Sequence, residues 1–150
     1  MPTCAAMSAL DEAGGSRQWH VDVAGEEGIV AARQQAREAA KGLGFGAVDQ
    51  SRIATAVSEL ARNVVRYATG SCGDVQITEL ASPENGIGLE IAVRDAGPGI
   101  ANVEQALRDG FTSGQGLGMG LPGARRLMDE MMIDSVPGRG TTVTIRKWRH

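Results

Sequence analysis

Apolar and polar residues recur along this chain with two different periods, and each change of period marks an element. Trp19, Val21 and Val23 alternate with His20 and Asp22, which predicts a half-buried strand. Glu26 to Lys41 is rich in Ala, Gln, Arg and Glu, with acids first, Lys41 last and Gly42 and Gly44 following. That order predicts a helix whose charges suit its dipole and whose end is set by glycine. From Asp49 to Ala68, Ile53, Val57, Leu60, Ala61, Val64 and Ala68 fall on one face of a long helix, with Asp49 or Ser51 as its cap. Val75–Leu80 and Leu89–Asp95 read as strands joined through the turn formers Pro83 and Asn85-Gly86. A short helix over Asn102–Arg108, an amphipathic helix over Leu121–Met132 and a last strand over Thr141–Lys147 complete the pattern.

Strands and helices do not alternate strictly, and the hairpin demands antiparallel pairing. The order predicts an α+β fold, a two-layer sandwich in which a mixed, mostly antiparallel sheet carries its helices on one face. Residues 1–16 have no period and read as a flexible arm, which leaves 17–150 as one domain with no linker inside it.

Composition narrows the classes. A chain of 150 residues buries roughly 70% of its unfolded surface, so no disulfide or structural metal is needed. Cys4 and Cys72 build no framework and belong to no CxxC or Cys/His cluster, which predicts a reducing, cytoplasmic setting. The net charge of -3 argues against nucleic acid as a partner. No apolar run approaches the ~20 residues that span a bilayer, and Asp11 and Glu12 stand where a secretory leader would be basic and then apolar. Glycine is 21 of 150, about twice the usual ~7%, and concentrates between Gly110 and Gly123.

Three places can carry chemistry. Glu59 and Asn63 stand four apart on the long helix, away from its apolar stripe, near Thr55 and Arg62. A carboxylate there can take a proton from a hydroxyl, and an amide oxygen suits Mg²⁺; a solvated helix face is the plainer reading. Arg62 could reach a phosphate or be solvated, and is read as solvated. Asp95 ends a strand and is followed by Gly97, Pro98 and Gly99, either an acceptor for an exocyclic amine such as adenine's or an ordinary turn. The run Gly114-Gln-Gly116-Leu-Gly118-Met-Gly120 leads into a helix at Leu121. Its free N–H groups can converge on phosphate, or the run is a lid without a ligand. No GxxxxGK[ST] loop occurs, and the GxGxxG at Gly118–Gly123 lacks the apolar strand that a dinucleotide site requires.

Taken in order, ELARN at Glu59–Asn63, DAGPGI at Asp95–Ile100, GLGMGL at Gly116–Leu121 and GTTVTI at Gly140–Ile145 resemble the boxes of the GHKL (Bergerat-fold) ATPase superfamily. Within it the chain resembles the RsbT-like serine-protein kinases and anti-sigma regulatory factors. The length leaves no room for the phosphoacceptor domain of a histidine kinase. The resemblance implies ATP and Mg²⁺ as cofactors, with Glu59 as general base and Asn63 as the Mg²⁺ ligand. It implies that Asp95 and Thr142 meet adenine and that Gly97 and Gly99 line the base. Gly116, Leu117, Gly118, Met119, Gly120 and Leu121 would enclose the phosphates. The partner implied is a STAS-domain antagonist protein phosphorylated on serine. The alternative is a nucleotide-dependent binding switch that sequesters a sigma factor or activates a PP2C-type phosphatase, and a homodimer is compatible with either. Met128, Met131 and Met132 are read as helix core or as a docking cluster for such a partner.

Overall fold

The computed structural model describes residues 17–67, 73–95, 120–136 and 140–149. Their elements, in chain order, are β1 (Gln18–Val23), α1 (Glu26–Gly42), α2 (Ala47–Tyr67), β2 (Gly73–Ser82), β3 (Gly86–Asp95), α3 (Gly120–Leu127), β4 (Glu130–Val136) and β5 (Gly140–Trp148). The sheet order is β1-β2-β3-β5-β4 and every neighbouring pair is antiparallel. The α+β sandwich is as expected, but its described sheet has no parallel pair. The arm and the Asn102–Arg108 helix lie outside the described residues.

Burial along the strands shows which face the helices cover. Leu89, Ile91 and Val93 on β3 are buried, as are Val75 and Ile77 on β2 and Val143 and Ile145 on β5. Ile53, Val57, Leu60 and Val64, a 3.6-period stripe on α2, pack into the same core. The packing face of α1 is almost all alanine (Ala32, Ala36, Ala39, Ala40), which lets α1 lie close against α2. The other sheet face is polar: His20 Nε2 and Asp74 Oδ2 are 2.7 Å apart, and Arg94 donates to both oxygens of Asp74. Ile91 is fully buried at the centre of the central strand, so Ile91→Ala is expected to cost about 2–5 kcal/mol. A lower urea midpoint at unchanged slope would register it.

The β2–β3 hairpin closes as its turn residues predict. Ser82 Oγ accepts from the N–H groups of Glu84 and Asn85, and Gly86 takes φ 83°, a value that disfavours any side chain. α2 starts at Ala47, two residues before the expected cap, so Asp49 lies in its first turn.

One predicted element is corrected. The helix expected over Leu121–Met132 ends at Leu127, and Glu130–Val136 is strand β4. The run Met131-Met132-Ile133 satisfies a helical stripe and a strand equally well. The free edge of β5 decides between them, since its backbone groups need partners. Asp129 N–H donates to the Arg146 carbonyl, and pairing continues from Glu130↔Arg146 to Val136↔Gly140. The methionines therefore part company: Met128 is buried, Met131 packs against the core, and Met132 is 53% exposed. No helix among the described residues is long and apolar enough to cross a membrane.

Candidate functional site

The site starts on the second half of α2. Glu59 and Asn63 are one turn apart and half-buried. Arg62 Nη1 donates to Glu59 Oε2 at 2.9 Å, so Arg62 is paired rather than merely solvated. The other oxygen, Oε1, has no partner among the described residues, and neither does the Asn63 amide. A half-buried amide that reaches solvent and has no protein partner is available to a ligand.

Asp95 reaches the same end of the molecule from the sheet. It is the last residue of β3 and pairs in register with Gly73 on one side and Thr141 on the other. Its parity is that of Leu89, Ile91 and Val93, so its side chain leaves the sheet on the helix side. Gly73 lets α2 pack closely on this corner. A Cβ there would overlap the Arg94 carbonyl oxygen and stand 2.8 Å from Val64 Cγ1. The end of α2 that carries Asn63 and Val64 therefore lies over the row that carries Asp95.

The structure does not bring Thr142 to Asp95. Thr142 is opposite Arg94 and Asp134 and points to the polar sheet face, away from α2. Thr141 shares the face and the row of Asp95, is buried, and has its Oγ1 2.9 Å from Ser135 Oγ. Sequence reasoning missed Thr141, although its parity with Val143 and Ile145 was the available signal. Thr141→Val is expected to weaken ATP binding about fivefold, the worth of one hydrogen bond, while Thr142→Val leaves it within twofold. Calorimetric titration of both variants checks this.

α3 brings in the third part. Leu127, at its end, lines a groove of about 400 Å³ with Ala47, Val48, Ser51, Arg52 and Thr55 of α2. α3 packs on α2, with its last residue beside the first half of that helix. At ~1.5 Å per residue the first residue of α3 lies about 10 Å from the last. Gly120 opens the first turn and Leu121 is buried beneath it. Gly97, Gly99, Gly116, Leu117, Gly118 and Met119 lie outside the described residues.

A strand-end acid from the sheet and an unengaged amide from α2 thus lie in one layer of the molecule, with α3 packed on α2. The sequence model of the histidine kinase-like ATPase domain matches residues 23–147. The chain belongs to the histidine kinase-like ATPase family. Among the relatives of this ATPase domain, the serine/threonine-protein kinase RsbT of Bacillus subtilis (strain 168) is 50% identical over 121 residues, 80% of this chain and 88% of RsbT. The anti-sigma F factor of Pasteuria penetrans is 35% identical over 98 residues, 63% of this chain and 65% of that protein. The solved RsbU and RsbW domains of a Mycobacterium tuberculosis protein superpose with a TM-score of 0.60 at 23% identity, over 89% of this chain and 32% of theirs. The mycobacterial sensor histidine kinase MprB gives 0.55 at 21% identity, over 89% of this chain and 99% of its own. The last two likenesses are of fold.

An ATPase domain uses ATP, and the residues present fit the nucleotide. Asp95 offers a carboxylate on the helix side of the sheet beside a hydroxyl, as an amine-bearing base requires. Magnesium bound largely through phosphates and water needs only one or two protein oxygens, and the Asn63 amide has one unengaged. No group of three or more His, Cys, Asp or Glu suited to a metal occurs among the described residues.

Proposed function

We propose that this domain is an ATP-dependent serine-protein kinase of the RsbT type, acting on a STAS-domain antagonist in a cytoplasmic partner-switching pathway. One observation carries the reading. Glu59 and Asn63 lie a single turn apart on α2, at the end of the molecule where Asp95 leaves the sheet, in a chain 50% identical to a serine/threonine-protein kinase.

Bound Mg-ATP supplies the transferable phosphoryl group and neutralises much of its charge. The chain's own residues do the rest. Asp95 accepts from the exocyclic amine of adenine, with Thr141 beside it in place of Thr142. Asn63 offers its amide oxygen to Mg²⁺. Gly97 and Gly99 line the base, and Gly116 to Leu121 present backbone N–H groups to the phosphates at the start of α3. Arg62 holds Glu59 through Oε2, which leaves Oε1 to take the proton of an incoming serine hydroxyl. Positioning and charge account for the chemistry, and no covalent intermediate on the protein is required.

The test is direct. Purified protein, Mg-ATP and STAS-domain proteins from the same genome are expected to yield phosphoserine on one of them. No phosphoserine on any of them, with ATP bound, would overturn the kinase reading.

A second reading has its own support in the 35% identity to an anti-sigma F factor. There, nucleotide shapes a docking surface for a sigma factor or a PP2C-type phosphatase. Nucleotide-dependent co-elution with one of those proteins, without phosphate transfer, is its signature. A homodimer is compatible with both readings.

A further inference from the structure

Lys147 is the last member of the core-facing row of β5, and its side chain is 9% exposed. A buried ammonium is costly unless oxygen atoms surround it. Three do. Nζ donates to the Leu127 carbonyl at 3.1 Å and stands 3.7 Å from Asp129 and 3.8 Å from Asp49. These partners come from the last residue of α3, the turn after it and the first turn of α2. Methionine or leucine would fill the same space without any buried charge, so packing does not account for a lysine here.

We propose that Lys147 is a positioning residue for the nucleotide's phosphates, acting through α3. The inference rests on the reading that the start of α3 receives those phosphates. An eight-residue helix does not hold its own direction in water; its anchors set it. At the C-terminal end Lys147 satisfies a carbonyl that has no partner within the helix and sets a cation against the negative pole of its dipole. Asp129 completes the anchor: its Oδ2 accepts from Trp148 N–H at 2.8 Å, and its own N–H donates to the Arg146 carbonyl at 3.0 Å. The far end of α3, about 10 Å away, continues directly from the glycine run. A tilt at the anchored end is therefore carried to the start of the helix, where Gly120 and Leu121 offer N–H groups, whereas Asp95 and Thr141, on strands, stay where they are. Lys147 faces the first turn of α2 rather than its second half, so its action on the site is indirect.

The experiment compares a ligand that fills only the base pocket with one that also reaches the phosphate cradle. Adenosine and Mg-ATP are titrated calorimetrically into the full chain and into Lys147→Met, Lys147→Arg and Asp129→Asn. Lys147→Met is expected to bind Mg-ATP about tenfold more weakly and adenosine within twofold of the wild type. Lys147→Arg, which can still reach carbonyl and carboxylates, is expected to recover most of the loss. If Lys147→Met does not fold, Asp129→Asn carries the test, with about a threefold loss for Mg-ATP alone. Equal weakening of both ligands, or an unchanged ratio in a folded variant, overturns the proposal. A wild type that binds Mg-ATP no better than adenosine overturns the phosphate-cradle reading instead, and this inference falls with it.

Discussion

Replacing Glu59 with glutamine is expected to lower phosphoserine formation by about 10²–10⁴-fold, the usual contribution of a positioned general base. Glutamine keeps the shape of the side chain and can still accept from Arg62, but it cannot hold a proton taken from serine. Stability will not explain the loss. The Glu59–Arg62 pair joins side chains 23% and 34% exposed, and ion pairs of that exposure are worth about 0.3–0.5 kcal/mol. ATP affinity is expected to stay within twofold, because the role proposed for Glu59 is on the acceptor and not on the nucleotide. The measurement is a single-turnover assay with labelled ATP and the STAS-domain protein proposed as acceptor. A variant that keeps more than about a tenth of the wild-type rate would remove Glu59 from the mechanism and leave proton transfer to water.

The second large effect belongs to Asp95. Asp95→Asn exchanges a charged acceptor for a neutral amide at a strand end that β3 and β5 hold in register. Hydrogen bonds to charged groups are worth about 1.5–3 kcal/mol, so ATP affinity is expected to fall about 10–150-fold. Inosine triphosphate separates this cause from a general disturbance, since it lacks the exocyclic amine. Wild type is expected to prefer ATP strongly, and Asp95→Asn to lose most of that preference, because a group built to accept from an amine rejects the analogue without one. An Asp95→Asn variant that binds ATP within twofold of wild type would show that the acid does not read the base.

Both predictions use residues that were visible in the bare sequence, and the reason is local. Glu59 and Asn63 could be placed on one helix because α2 carries an unbroken 3.6-residue stripe from Ile53 to Val64. Asp95 could be placed at a strand end because alternation stops there and glycines follow. The hairpin was legible in Ser82, Asn85 and Gly86 because turns are set by the residues within them.

What failed to show was non-local. Met131 to Ile133 fits either period, and only the unpaired edge of β5 made it a strand. Parity with Val143 and Ile145 could place Thr141 on the helix side, but only the register with β3 sets it beside Asp95. Arg62 looked solvated until its guanidinium met Glu59. Lys147 entered the sequence reading only as the end of the last strand, and the carboxylates around it come from α2 and the turn after α3.

The sequence alone determined the order of the elements that carry the motifs, the residue types available for acid, amide and backbone contacts, and the family to which they belong. Tertiary structure decided which hydroxyl faces the acid, which carboxylate oxygen is left open, and how the helix after the glycine run is anchored. Periodicity reports one element's own inside and outside, whereas these contacts depend on strand register and helix placement, which are set between elements far apart in the chain.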